Sequence, residues 1–189
     1  MKTNILPAIK LTLLFALFFS GFYTLAIYAV AQFAPNHGKG EVITQNDRSY
    51  YNNIGQSFTA DNYFNSRPSA VAYNAAGSGG SNKGPSNPDY LKEVQSRIDT
   101  FLSHNPSISK SEIPSDLVTA SGSGLDPDIS VQAAIVQIPR IAKIRNLAEK
   151  DLQLLVEQQT DKPLFGFLGP EKVNVLELNL ALDQIKMKE

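Results

Sequence analysis

Ser107 and Lys110 stand three residues apart, the S-x-x-K spacing in which a lysine can help activate a serine nucleophile. The companion motifs S-D-N and K-T-G are missing, and so is a G-x-S-x-G elbow. Asp126 and Asp128 flank Pro127 and read as a turn and helix start before Ser130, not as an oriented acid–base pair. With two histidines, His37 and His104, and no cysteine, the chain has little material for a metal cluster and none for thiolate chemistry or disulfides. No metal site is expected.

Two glycine-serine loops are the remaining chemical candidates. Gly77-Ser78-Gly79-Gly80-Ser81-Asn82-Lys83-Gly84 could turn backbone N–H groups toward an anion, but lacks the Gly-Lys-Ser/Thr of a P-loop. Ser121-Gly122-Ser123-Gly124, leading to Leu125-Asp126-Pro127, has the same character. The plainer reading of both is a tight turn that needs positive φ. The first belongs to a longer loop block, Tyr63 to Pro88, too aromatic and too varied for a flexible spacer. Tyr63, Phe64 and Arg67 are its expected anchors, and Arg67 is held extended by Pro68. Ser78, Gly79, Gly80, Ser81 and Asn82 are expected to shape it.

The elements that would hold these loops follow from pattern. Asn87, Pro88 and Asp89 form a helix start, followed by Leu91, Val94, Ile98, Phe101 and Leu102 at helical spacing, with a stop at Asn105-Pro106. Ser130 caps a helix that Pro139 should kink or restart. A further helix covers about 148–159. Val42-Ile43 and 54–58 read as short strands, 164–170 as a strand ending in a turn, and the tail from Val173 as a short strand followed by a helix capped by Asn174. The expected fold class is α+β, in one compact domain over residues 34–189.

Residues 11–33 carry no charge and are long enough to cross a bilayer, which needs about 20 apolar residues. Ser20 and Gly21 are the small residues through which a neighbouring helix could pack. The rival is a cleaved signal peptide ending at Ala29-Val30-Ala31, but the apolar core exceeds the usual length of about 7–15 residues. Lys2 and Lys10 precede the span without acids, whereas Lys39, Glu41, Asp47 and Arg48 follow it. That asymmetry puts residues 1–10 in the cytoplasm and 34–189 outside the inner (plasma) membrane. A charged fraction of 19% agrees with a membrane part, and a net charge of -1 gives no electrostatic case for nucleic acid.

Several segments taken together resemble the C subunit of the Kdp-type potassium-transporting P-type ATPase. They are Ile54-Gly55-Gln56-Ser57-Phe58, Tyr63-Phe64 through Arg67-Pro68-Ser69-Ala70, Tyr73-Asn74-Ala75, Ser78 through Asn82 with Gly84-Pro85-Ser86-Asn87-Pro88, Pro114 through Pro127, Gln137 with Arg140-Ile141-Ala142, and Val173 through Asp183. They occur in family order over nearly the whole chain. The resemblance implies a non-catalytic accessory subunit of an ATP-driven, high-affinity potassium uptake complex. Its implied partners are a channel-like potassium-translocating subunit and a subunit that hydrolyses ATP; this chain lacks the Asp-Lys-Thr-Gly-Thr phosphorylation motif. The family is described as a catalytic chaperone that raises ATP affinity, with Ser121, Gly122, Ser123, Gly124 and Asp126 matching the nucleotide-linked segment. No firmly bound cofactor is implied; ATP enters at the level of the complex, and a domain outside the membrane would not meet cytoplasmic ATP. The alternative is an independent membrane-anchored module that binds a ligand or hydrolyses through serine. Two departures stand out: Asn36-His37-Gly38-Lys39-Gly40 where the family often has Gln-Ala-Asn-Gly-Ser, and Asp128 where it commonly has His.

Overall fold

The apolar run folds as one helix with a widened turn in its middle. The computed structural model describes residues 4–45 and 47–185. Lys2, part of the orientation argument, and residues 186–189 of the expected outer domain lie outside the described residues. Helix α1 (Ile5–Leu17) passes through a π-helical turn, Phe18–Tyr23, into α2 (Thr24–Ala31). The whole apolar helix, Ile5–Ala31, has 27 residues and a mean hydropathy of 2.0 over its best window. At 1.5 Å per residue it is roughly 40 Å long, enough to cross a hydrocarbon core of about 30 Å. The π turn contains Ser20 and Gly21. Ser20 Oγ donates back to the Ala16 carbonyl, and Thr24 Oγ1 to the Phe19 carbonyl at 2.9 Å. Such back-bonding competes with the helical ladder and bends or widens it.

By internal contacts the chain forms two units, one ending at Tyr51 and one beginning at Asn52. The first ends in an antiparallel hairpin of β1 (Val42–Gln45) and β2 (Arg48–Tyr51), which realises the strand expected at Val42-Ile43. Asp47, at φ 60°, makes its tight turn.

The second unit is α+β, as expected. Its helices are α3 (Pro88–His104), α4 (Val131–Ile135), α5 (Ile138–Arg145), α6 (Glu149–Gln158) and α7 (Val175–Gln184). A small antiparallel sheet has β5 (Lys172–Asn174) between β3 (Asp128–Ile129) and β4 (Thr160–Asp161). The caps read from sequence are present. Asn87 accepts from the N–H groups of Asp89 and Tyr90, Ser130 from Ala133, and Asn174 from Leu176 and Glu177. Pro139 restarts the chain as α5, where its missing N–H costs no helical bond. The core gathers Ile129, Ala134, Ile138, Ile141, Leu152, Val173 and Leu178 from the sheet and α4–α7. Helix α3 buries no residue completely.

Two strand expectations fail. Residues 54–58 are irregular, because their backbone is bound to loops instead of a ladder: Gly55 N–H donates to the Leu125 carbonyl at 2.8 Å, and Phe58 pairs with Ser66. Residues 164–170 are a tight turn with a single bridge, Leu164↔Leu168, since Gly166 and Gly169 take left-handed φ and Pro170 ends the segment.

Candidate functional site

The loop block from Asp61 onward is fastened to the domain by side chains of α5 and α7. Phe64 is fully buried and belongs to the hydrophobic core. Burying its ring also buries its peptide groups, which must find partners. Asn179 on α7 supplies both: its Oδ1 accepts from Phe64 N–H and its Nδ2 donates to the Phe64 carbonyl, each at 2.9 Å. Gln137 Oε1 accepts from Asn65 N–H at 2.7 Å. Arg140 donates to Asn65 Oδ1 (2.7 Å), Gln137 Oε1 (2.7 Å), the Tyr63 carbonyl (3.0 Å) and Asp61 (3.2 Å). Its side chain is only 3% exposed, so one buried guanidinium fork organises four groups.

Tyr63 is held differently. Arg145 lies over its ring, 4.6 Å from the centroid, and donates to the Asn62 carbonyl. The Tyr63 hydroxyl donates to Asp183 at 2.9 Å, and Arg145 reaches the other oxygen of the same carboxylate at 2.7 Å. Burial, together with the Asp183 carboxylate, raises the Tyr63 phenol above its ordinary pKa. At the end of α3, His104 Nδ1 donates to both oxygens of Asp61 at 2.8 and 3.0 Å. That hydrogen bond, joined by Arg140, holds the Asp61 carboxyl below its usual value. A cavity of about 270 Å³ opens here, lined by Phe58, Asp61, Arg97, Phe101, His104 and Asn105 among others.

The two glycine-serine loops pack on each other. Arg67 forms an ion pair with Asp126 at 2.5 Å, and the Tyr73 hydroxyl donates to the Arg67 carbonyl. Ser69 Oγ donates to the Gly124 carbonyl, while Gly79 N–H and Ser78 Oγ both donate to the Ser123 carbonyl. Gly124 has φ +69°, and an added Cβ would lie 2.5 Å from Val71 and 2.7 Å from the Gly79 carbonyl. A Cβ on Gly80 would lie 3.0 Å from the Gly122 carbonyl, a looser approach, whereas a Cβ on Gly122 would meet open space. Ser81 and Asn82 continue the loop toward α3, Asn82 with φ 53°. The N–H groups of Ser121, Gly124 and Leu125 are committed to Pro68, Ser121 Oγ and Ser123 Oγ. An anion nest needs successive N–H groups converging on a ligand; these three are turned to the domain's own oxygens.

Thus Tyr63, Phe64 and Arg67 anchor the loop block, and Ser78, Gly79 and Gly80 meet the Ser121–Asp126 segment. Ser20 and Gly21 belong to the other unit. Sequence reasoning did not single out Asp61, Asn65, Asn179 or the pairing role of His104. The available signal was a set of amide and guanidinium residues, Gln137, Arg140 and Asn179, on otherwise apolar helix faces. Asp128, at the departure from the resembled family, pairs with Lys172 at 2.5 Å and raises that amine's pKa.

The profile of the K+-transporting ATPase c chain, KdpC, matches residues 5–184, which takes in the apolar helix and every element described above. The chain belongs to the KdpC family. Curated relatives carry the name potassium-transporting ATPase KdpC subunit along essentially their full length. The protein of Flavobacterium psychrophilum is 56% identical over 184 residues, covering 97% of this chain and 99% of the relative. That of Bacteroides fragilis is 50% identical over 190 residues, covering 98% and 99%. That of Geobacter metallireducens is 45% identical over 188 residues, covering 96% and 98%. The resemblance read from the loop blocks is therefore correct, and this KdpC-family chain has the length of its relatives.

Proposed function

We propose that this chain is a non-catalytic accessory subunit of an ATP-driven potassium uptake complex. The observation that carries the reading is the family match over residues 5–184, which spans the apolar helix and the folded domain alike. The partners are a channel-like potassium-translocating subunit and a P-type subunit that hydrolyses ATP. The apolar helix crosses the inner membrane with its N-terminus in the cytoplasm, and the domain stands on the outer face. The lysines at positions 2 and 10 support that orientation. Within the membrane, Ser20 and Gly21 form the packing face toward a partner helix; the π turn at these residues supports this role. The chain raises the ATP affinity of the hydrolysing subunit through the assembly, because a domain on the outer face does not meet cytoplasmic ATP. The loop block presents its outer surface to the partners, while its inner surface is bound by Asn179, Gln137 and Arg140.

Capture of the tagged chain from mild detergent should bring down two larger membrane subunits, and deletion should abolish growth at very low potassium. Recovery of the chain alone, with normal growth of the deletion strain, would refute the reading. A single cysteine introduced at Ser96 should react with a membrane-impermeant maleimide added outside intact spheroplasts, the native chain having no cysteine to interfere. Labelling only after lysis reverses the orientation. A bulky residue at Gly21 should weaken co-purification more than the same residue at Leu13.

A further inference from the structure

Among the described residues, the segment from Pro163 to Pro170 contributes no side chain to the hydrophobic core. It leaves β4 and re-enters β5, and the pairing Asp161↔Lys172 closes its base. Its backbone is well defined by its own hydrogen bonds: Gly166 N–H donates to the Pro163 carbonyl at 2.8 Å, and Leu168 N–H to the Leu164 carbonyl at 3.0 Å. Its side chains point away from the domain. Phe165 is 80% exposed, Phe167 75%, Leu164 62% and Leu168 51%. Single exposed apolar residues are ordinary, but four grouped on one protruding turn form a patch of the kind that marks an interaction site. Phe165 also stands at φ +55°, a conformation that disfavours a bulky side chain. Phe165 adds nothing to the hydrophobic core of the domain.

We infer that this apolar hairpin inserts into an apolar socket on the extramembrane surface of another subunit of the same transporter. The inference rests on the accessory-subunit reading above. A protein socket fits better than a lipid surface, because interfacial insertion is ordinarily backed by a collar of cations. Here Lys162 and Glu171 flank the two limbs, and Lys172 is engaged by Asp128 and Asp161. Charge at the base is therefore mixed. The turn also holds its shape before binding, which limits the ordering cost of docking into a matching pocket. Aromatic anchors in such pockets are where interface energy concentrates.

The test places a photo-crosslinking phenylalanine analogue at Phe165 or Phe167 of the full chain, in the detergent-purified complex, with Leu91 on α3 as an exposed control. Irradiation should join positions 165 and 167, but not 91, to another subunit identified by mass spectrometry. Crosslinks to lipid alone, to a second copy of this chain, or to nothing would overturn the inference. A Phe165→Asn, Phe167→Ser double variant should keep the wild-type melting temperature, since asparagine accepts left-handed φ, and should recover partner subunits about tenfold less well. Equal recovery by this variant while wild type captures its partners defeats the hairpin alone. Failure of wild type to capture any subunit defeats the accessory-subunit reading with it.

Discussion

The stretch around Tyr63–Arg67 and the hairpin around Leu164–Leu168 invert the usual relation between regularity and anchorage. The first has no helix or strand, yet Phe64 is wholly buried and its peptide groups are bound by Asn179. The second closes its own backbone hydrogen bonds and leaves its large side chains in solvent. Local backbone order and tertiary anchorage are thus separate properties. A segment is held by where its side chains go and by who satisfies its buried polar groups. The first serves the domain's own fold; the second is free to serve something else.

That contrast can be broken by mutation. Phe64→Ala should cost about 3–5 kcal/mol, the range for emptying a buried aromatic site, read as a loss in urea midpoint of the folded domain. Phe165→Ala in the hairpin should change stability by no more than about 0.5 kcal/mol, the range for exposed sites. Comparable losses at the two positions would remove the distinction. Gly124→Ala should come next, at about 1–3 kcal/mol for a strained backbone, with the added clash against the Gly79 carbonyl. Gly122→Ala, facing open space, should be close to neutral. The reverse order would mean that the two glycine-serine loops do not pack as described.

A modest effect concerns pH. The Asp61 carboxyl is held low by His104, then by Arg140, so its contribution is complete above the unfolded carboxylate pKa of about 4 and is lost as pH falls through its lower folded value. Thermal melts of the wild type should therefore fall on acidification below about pH 4 more steeply than those of Asp61→Asn, because the variant has no such carboxylate to protonate. Identical acid profiles would show that this corner of the loop contributes nothing. Asp61 is well exposed, so the effect should be modest.

Much of the architecture was legible beforehand because it is written in local chemistry. Asn87, Ser130 and Asn174 cap helices through bonds that span two or three residues, so their types and positions sufficed. Pro139 acts on its own peptide, and the apolar helix is a matter of length and composition. The misread segments, 54–58 and 164–170, have strand-like composition without a neighbouring strand to pair with. Alternation says which faces a strand would have, but not whether a partner edge exists.

The loop block divides along the same line. Sequence identified Tyr63, Phe64 and Arg67 as anchors, since aromatic and Arg-Pro residues in a glycine-rich loop have few other uses. It could not say what they grip. Asn179 lies 115 residues from Phe64, and Arg140 lies 75 from Asn65. The amino-acid sequence by itself determined the apolar helix, the capped helices and the family. Only the tertiary structure decided that the two glycine-serine loops pack on each other, and that Leu164–Leu168 stays uncovered. The reason is physical: a cap or an apolar span is satisfied within a few residues, whereas a buried loop is satisfied only by groups that the fold brings to it.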